Sequence, residues 1–241
     1  MSATTWASAS DTHRGNHRAQ NEDAVLCSSA SGLWLVADGM GGHNAGQYAS
    51  EAIVQSLSEV TLSAHLGDCV DAIEDRLLEV NDHLRQHGRL HCGGDTVGST
   101  VVVLVVRDGV GVVLWAGDSR LYRLRDRQLE VLTRDHNPIA DLYDSGGVSE
   151  EEVLLSDTNV VTRAVGGQRD LHLDVAAFPV SPGDTLLLCS DGLYRELTPE
   201  QITQAMAQPV DTAVDSLMQQ CLSGAARDNV SVVLTRAGAE R

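Results

Sequence analysis

Six consecutive apolar residues, Val101-Val102-Val103-Leu104-Val105-Val106, constrain this chain more than any other stretch. A short apolar run bounded by turn-forming residues reads as a β-strand. Its lack of alternation means that both faces are covered. Candidate strands at 99–106, 111–116, 120–124 and 129–132 follow one another through the short turns Arg107-Asp108-Gly109 and Arg125-Asp126-Arg127. That group reads as an antiparallel meander. In an antiparallel protein with helices, one cover of such a strand is a second sheet and the other a helical layer. The expected fold is therefore a four-layer α-β-β-α sandwich of the α+β class.

The rest of the chain supplies the other layers. Further strands are expected at 5–10, 24–28, 32–37, 171–178, 185–190 and 230–234. Ala45, Ala49, Ile53, Leu57 and Val60 fall at helical spacing. So do Val70, Ile73, Leu77, Val80 or Asn81, and Leu84. Thr198-Pro199-Glu200 starts a third helix and 210–222 forms a fourth. Residues 88–94, with His91 and Cys92, read as a loop. Residues 137–167 are polar and broken by glycines, with two short helices around Ser145-Gly146-Gly147, and Ser149 and Glu152 stand at capping-box spacing. They read as a flap subdomain inserted between strands. No repeat or linker divides residues 1–241, so a single domain is expected.

Charge narrows the partners. A formal net charge of −17 over 241 residues argues against nucleic acid or an anionic membrane surface. Residues 1–11 carry no basic and apolar leader pattern. The apolar run at 101–106 is too short to span a bilayer. Five cysteines, an odd number without a Cys-x-x-Cys pair, fit reduced thiols in a cytoplasmic protein, and a monomer is expected.

The acids then stand out by position. Asp38 follows a buried strand and opens the loop Asp38-Gly39-Met40-Gly41-Gly42-His43. Asp191-Gly192 repeats that strand-to-Asp-Gly arrangement. Glu22 and Asp23 close the polar loop 11–23, Asp118 sits in Gly117-Asp118-Ser119-Arg120, and Asp228 precedes the last strand. Each alone reads equally as a solvated turn. Strand ends on one edge of a sandwich converge, and carboxylates forced together need a cation to neutralise them. Oxygen ligands suit Mg²⁺ and Mn²⁺.

Arg18-x-x-Asn21-Glu22-Asp23, Asp38-Gly39-Met40-Gly41-Gly42-His43, Gly117-Asp118-Ser119-Arg120, Ser190-Asp191-Gly192-Leu193 and Arg227-Asp228-Asn229-Val230-Ser231 together resemble, in order, the motifs of the metal-dependent PPM/PP2C protein serine/threonine phosphatases. Asp135-His136 and Asn159-Val160-Val161-Thr162-Arg163-Ala164-Val165-Gly166 resemble the flap region of the bacterial branch. The resemblance implies two stacked antiparallel sheets flanked by helices. It implies that Asp38 bridges two Mn²⁺ or Mg²⁺ ions, with the Gly39 carbonyl on one of them and Asp191 and Asp228 completing the other. Glu22 and Asp23 would hold metal-bound waters, and Asp118, with Asp191, a third and weaker ion. Arg18 would clamp the substrate phosphate. His43 would serve the leaving group, in place of the His that many eukaryotic members carry where this chain has Met40. The implied substrates are phosphoserine and phosphothreonine proteins, in a pathway that reverses a bacterial Ser/Thr kinase.

Two rivals start from other residues. Cys189 with Arg195, and Cys221 with Arg227, both have the Cys-x5-Arg spacing of thiol phosphatases. The first loop contains Asp191, which repels phosphate. The second lies at a helix C-terminus, where the dipole has the wrong sign. A catalytically silent binding module is the other rival, and it is expected to lack the motif acids. All of them are present.

Overall fold

The computed structural model describes residues 5–42, 44–139, 142 and 160–238. Its strands are β1 (Trp6–His13), β2 (Asp23–Ser28), β3 (Leu33–Met40), β4 (Gly98–Ser99), β5 (Val101–Arg107), β6 (Val110–Ala116), β7 (Arg120–Arg125), β8 (Gln128–Val131), β9 (Asp174–Pro179), β10 (Thr185–Cys189) and β11 (Val230–Ala237). Its labelled helices are α1 (Ala45–Ser58), α2 (Leu66–His91), α3 (Asp191–Tyr194), α4 (Pro199–Met206) and α5 (Val210–Ser223). One sheet has the order β1-β11-β10-β7-β8, the other β2-β3-β5-β6-β9 with β4 paired to β3. All of the pairings are antiparallel. Among the described residues no helix is long and apolar enough to cross a membrane.

The apolar run explains the layering. Val101, Val103 and Val105 belong to the core beneath α1 and α2. Val102, Leu104 and Val106 belong to the core between the sheets, with Trp34, Val36, Leu186, Leu188 and Val233. A third core lies between the first sheet and α4 and α5. Three cores between four layers are the expected α-β-β-α sandwich. The period of two along each strand assigns alternate residues to different cores.

Several boundaries differ from the sequence expectation. The meander is broken, because β6 and β7 lie in different sheets. The chain crosses between sheets at Gly117-Asp118-Ser119, and no spacing rule marks that crossing. Gly117 takes φ +118°, and a Cβ there would stand 2.5 Å from the Thr100 side chain. β1 runs on to His13 because β11 pairs with it as far as Val230. β3 continues through Asp38 and Gly39 because β4 extends its ladder. α2 runs on to His91 through Gly88, whose missing Cβ admits the Asp95 carbonyl at 2.6 Å. Asp191 opens a helix, so it does not repeat the setting of Asp38, which is in a strand. The expected capping residue Thr198 does cap α4, in a reciprocal pair with Gln201. The Ser149 and Glu152 cap and the helices around Ser145 lie outside the described residues.

Candidate active site

Strand parity places the acids. On β3, Trp34 and Val36 point between the sheets, so Asp38 shares that face at the strand's open end. Val25 and Cys27 do the same on β2, which puts Asp23 there as the cross-strand partner of Asp38. On β10 and β11 the same parity brings in Ser190 and Ser231 after Leu188 and before Val233. The Ser190 hydroxyl donates to Asp23 Oδ2 at 2.8 Å and accepts from the Ser231 N–H at 3.0 Å. The mouth between the sheets is thus lined by residues from both of them.

Loops deliver the remaining groups. Asn229 is buried and ties down three points of one loop. It accepts from the Glu22 N–H at 2.8 Å and donates to the carbonyls of Arg14 and Gln20 at 3.0 and 2.9 Å. Loop 14–22, with Arg18 and Glu22, is thereby fixed beside Asp228. Arg18 Nη2 meets Asp228 Oδ2 at 2.8 Å, with the arginine side chain 54% exposed. The Gly39 N–H donates to the Glu22 carbonyl at 3.1 Å. A Cβ on Gly39 would stand 2.1 Å from the Gly46 carbonyl, so α1 packs against the site only because glycine is there. The Asp38 carbonyl accepts from the Thr100 N–H at 2.8 Å and from Ser99 Oγ at 2.9 Å.

The electrostatics show carboxylates confined without enough positive charge. Burial, then the neighbouring Asp191, pushes the Asp23 carboxyl up to about 7. Burial, then Asp191 and Asp135, does the same to Asp118, also to about 7. Asp38 rises well above its ordinary range through burial and then Asp23, Asp191, Asp118 and Asp228. Burial also raises Asp191, against the opposing pull of Arg195, whose Nε lies 2.9 Å from Asp191 Oδ2. Arg195 reaches Asp118 only at 3.7 Å. Asp23 Oδ1 and Asp191 Oδ1 are buried without a hydrogen-bond partner. Unpaired buried carboxylate oxygens in an all-oxygen setting fit a hard divalent cation. Among the described residues no group of three or more His, Cys, Asp or Glu side chains is arranged to hold a metal ion. Asp228 and Asp191 each hold an arginine.

Of the expected site residues, Asp38, Asp23, Asp118, Asp191 and Asp228 are electrostatically linked in one basin, with Arg18 on its rim. Glu22 faces α1, where a Cβ on Gly46 would lie 2.8 Å from its Oε1. His43 lies outside the described residues. Sequence reasoning missed the support Thr100, and it quoted Ser190 and Ser231 in motifs and Arg195 in a rival reading without giving them a supporting role. It quoted Asn229 in a motif without giving it a role. It also missed a second network behind Asp118. There Arg120 forms a bidentate pair with Asp135 at 2.9 and 2.7 Å and lies 3.7 Å over the Tyr194 ring. His136 accepts from the Gly117 N–H at 3.1 Å. A buried Asn or Ser flanking a motif acid was the only available signal.

The protein phosphatase 2C family model matches residues 11–230. The serine/threonine phosphatase stp of Listeria monocytogenes is 30% identical over 233 residues, covering 92% of each chain. Among solved structures, PppA, described as a key regulatory component of T6SS in Pseudomonas aeruginosa, is 41% identical with a TM-score of 0.89, covering 96% of this chain and 97% of its own. The catalytic domain of the serine/threonine protein phosphatase PstP, in complex with two manganese ions, is 28% identical with a TM-score of 0.85, covering 98% of this chain and all of its own. The fold and site thus define a metal-dependent phosphatase. The chain belongs to the protein phosphatase 2C family of metal-dependent protein serine/threonine phosphatases.

Proposed function

We propose that this protein, acting as a cytoplasmic monomer, hydrolyses phosphoserine and phosphothreonine monoesters at the acidic mouth between its sheets. Asp38, the Gly39 carbonyl, Glu22, Asp23, Asp191 and Asp228 hold two Mn²⁺ or Mg²⁺ ions in this reading, and Asp118, with Asp191, a weaker third. The observation that carries it is the pair of unpartnered buried oxygens, Asp23 Oδ1 and Asp191 Oδ1, within one raised-pKa carboxylate cluster. When bound, such ions supply Lewis-acid charge and lower the pKa of water toward neutrality.

The chain's own residues do the rest. Arg18 stands on the rim with its fork only partly engaged by Asp228, so its other N–H groups can take phosphate oxygens in a bidentate contact. Asn229 fixes the loop that carries Arg18, which sets where the phosphate lies. Ser190 holds one Asp23 oxygen and leaves the other without a hydrogen-bond partner. His43, by its place in the motif, protonates the leaving serine or threonine oxygen.

The substrates in this reading are the products of a partner Ser/Thr kinase, or that kinase itself. The likeness to PppA, described as a key regulatory component of T6SS, supports a regulatory role. The test is hydrolysis of a phosphothreonine peptide. Activity should vanish in excess chelator and return with Mn²⁺, and Asp118→Ala should keep two tight Mn²⁺ sites by calorimetry while losing activity. Full activity in chelator would contradict the reading.

A further inference from the structure

Away from the mouth, α2 carries three histidines at four-residue spacing: His83, His87 and His91. Residues four apart share one face of a helix. Ile73, Leu77 and Leu84 of the same helix are buried. His83 and His91 are exposed and His87 is half-buried. Tyr48 of α1 organises them. Its ring stacks on His87 with centroids 4.1 Å apart and 23° between planes. Its hydroxyl is 2.7 Å from His83 Nε2, which engages that nitrogen. His87 also neighbours His91, with ring centroids 4.8 Å apart and 45° between planes.

We propose that His87 and His91 form a two-histidine chelate for a transition-metal cation of the Zn²⁺ class, completed by water. Two histidines at i and i+4 on one helix face are the spacing by which helices present imidazoles to zinc. Zn–N bonds of about 2.0–2.1 Å need one nitrogen of each ring near a common point, and with the ring centroids 4.8 Å apart it is the exposed His91 side chain that rotates to meet it. Stacking on Tyr48 restricts the His87 ring and lowers the entropy lost on binding. Burial, with His91 and His83 nearby, holds the His87 pKa down, which keeps its lone pair available at neutral pH. Imidazole suits Zn²⁺, Cu²⁺ and Ni²⁺, whereas carboxylate suits Mg²⁺ and Mn²⁺, so this site and the mouth select different ions. Cys92 is not a ligand here, because it packs against the core beneath α2.

The experiment is a Zn²⁺ titration of the whole protein in excess Mg²⁺, read by calorimetry and by imidazole ¹⁵N resonances. Wild type should bind one more Zn²⁺ than His87→Gln or His91→Gln, with shifts at the His87 and His91 rings. His83→Gln should keep the extra ion. Unchanged melting of the metal-free variants shows that the substituted side chains were not needed for folding. Equal Zn²⁺ stoichiometry and affinity in wild type and His87→Gln would overturn the proposal. So would loss of the ion in His83→Gln with retention in His91→Gln. Zn²⁺ that shifts no imidazole would also overturn it, as binding at the acidic mouth alone.

Discussion

Asp23 and Asp38 are cross-strand partners where the β2–β3 ladder opens into the gap between the sheets. Like charges directly opposite each other on a sheet are destabilising. Here the two strands carry them at their ends, on the face that both sheets bury. The pair sets two carboxylates against folding stability, a cost that a bound cation would offset.

A pH dependence follows for the metal-free protein. Asp23 and Asp118 are raised to about 7, while an unfolded aspartate titrates at about 3.9. Between these values the folded state holds protons that the unfolded state has lost. Stability therefore falls as pH rises through that window. Asp174 shifts the opposite way, its carboxyl lowered by His136 and Arg163 against a burial effect that raises it, so its contribution is lost only at more acidic pH. Melting in chelator should occur at a higher temperature near pH 5 than near pH 7.5. Saturating Mn²⁺ should remove or reverse the difference, because metal binding needs the carboxylates deprotonated. A chelated protein that melts higher at pH 7.5 would refute this account.

Asp38→Asn should separate stability from function. It removes the group repelled by Asp23, Asp191, Asp118 and Asp228. In chelator the variant should melt higher, by about 2–4 °C for each kcal/mol of relieved repulsion in a chain of this size. Turnover with Mn²⁺ should fall by about two orders of magnitude or more. Near wild-type turnover at saturating metal would remove Asp38 from the centre of the site.

Asn229→Ala and Arg18→Ala should fail in different ways. Asn229 is buried, and its loss leaves the Glu22 N–H and the carbonyls of Arg14 and Gln20 unpaired. The cost should be about 1–3 kcal/mol of stability, read from denaturant unfolding. Arg18 is exposed on the rim, so Arg18→Ala should leave unfolding unchanged and chiefly raise KM for a phosphopeptide. Equal destabilisation by both substitutions would mean that Arg18 supports the loop and not the substrate.

The cysteines provide a test between phosphatase chemistries. Cys189 and Cys221 are fully buried, one in β10 and one in α5. Burial raises both thiols, Cys221 to about 12 and Cys189 further, so neither is a thiolate near neutral pH. The Cys221 thiol donates to the Gly192 carbonyl at 3.4 Å. Cys221→Ser should leave kcat within a small factor of wild type, and Cys189→Ala should cost stability but little turnover. A folded, Mn²⁺-binding but inactive Cys→Ser variant would instead point to a thiol nucleophile.

The sequence by itself determined the layers. An apolar run without alternation has to be covered twice, so Val101 to Val106 already implied cores on both sides of β5. Helix spacing placed Ile73, Leu77 and Leu84 on the buried face of α2 before any packing was known. The motif acids were legible because each sits where periodic apolar residues stop. Tertiary structure decided what those acids meet. That β6 and β7 part at Asp118 depends on which strands pair, and local spacing carries no record of pairing partners 60 or more residues away, such as β7 with β10. The same holds for Asn229 holding the Glu22 N–H and for Ser190 holding Asp23, contacts between residues 207 and 167 positions apart. Burial of Asp23 and Asp118, and hence their raised pKa values, exists only once both sheets close over the mouth, because desolvation is a property of the assembled surroundings and not of the residue.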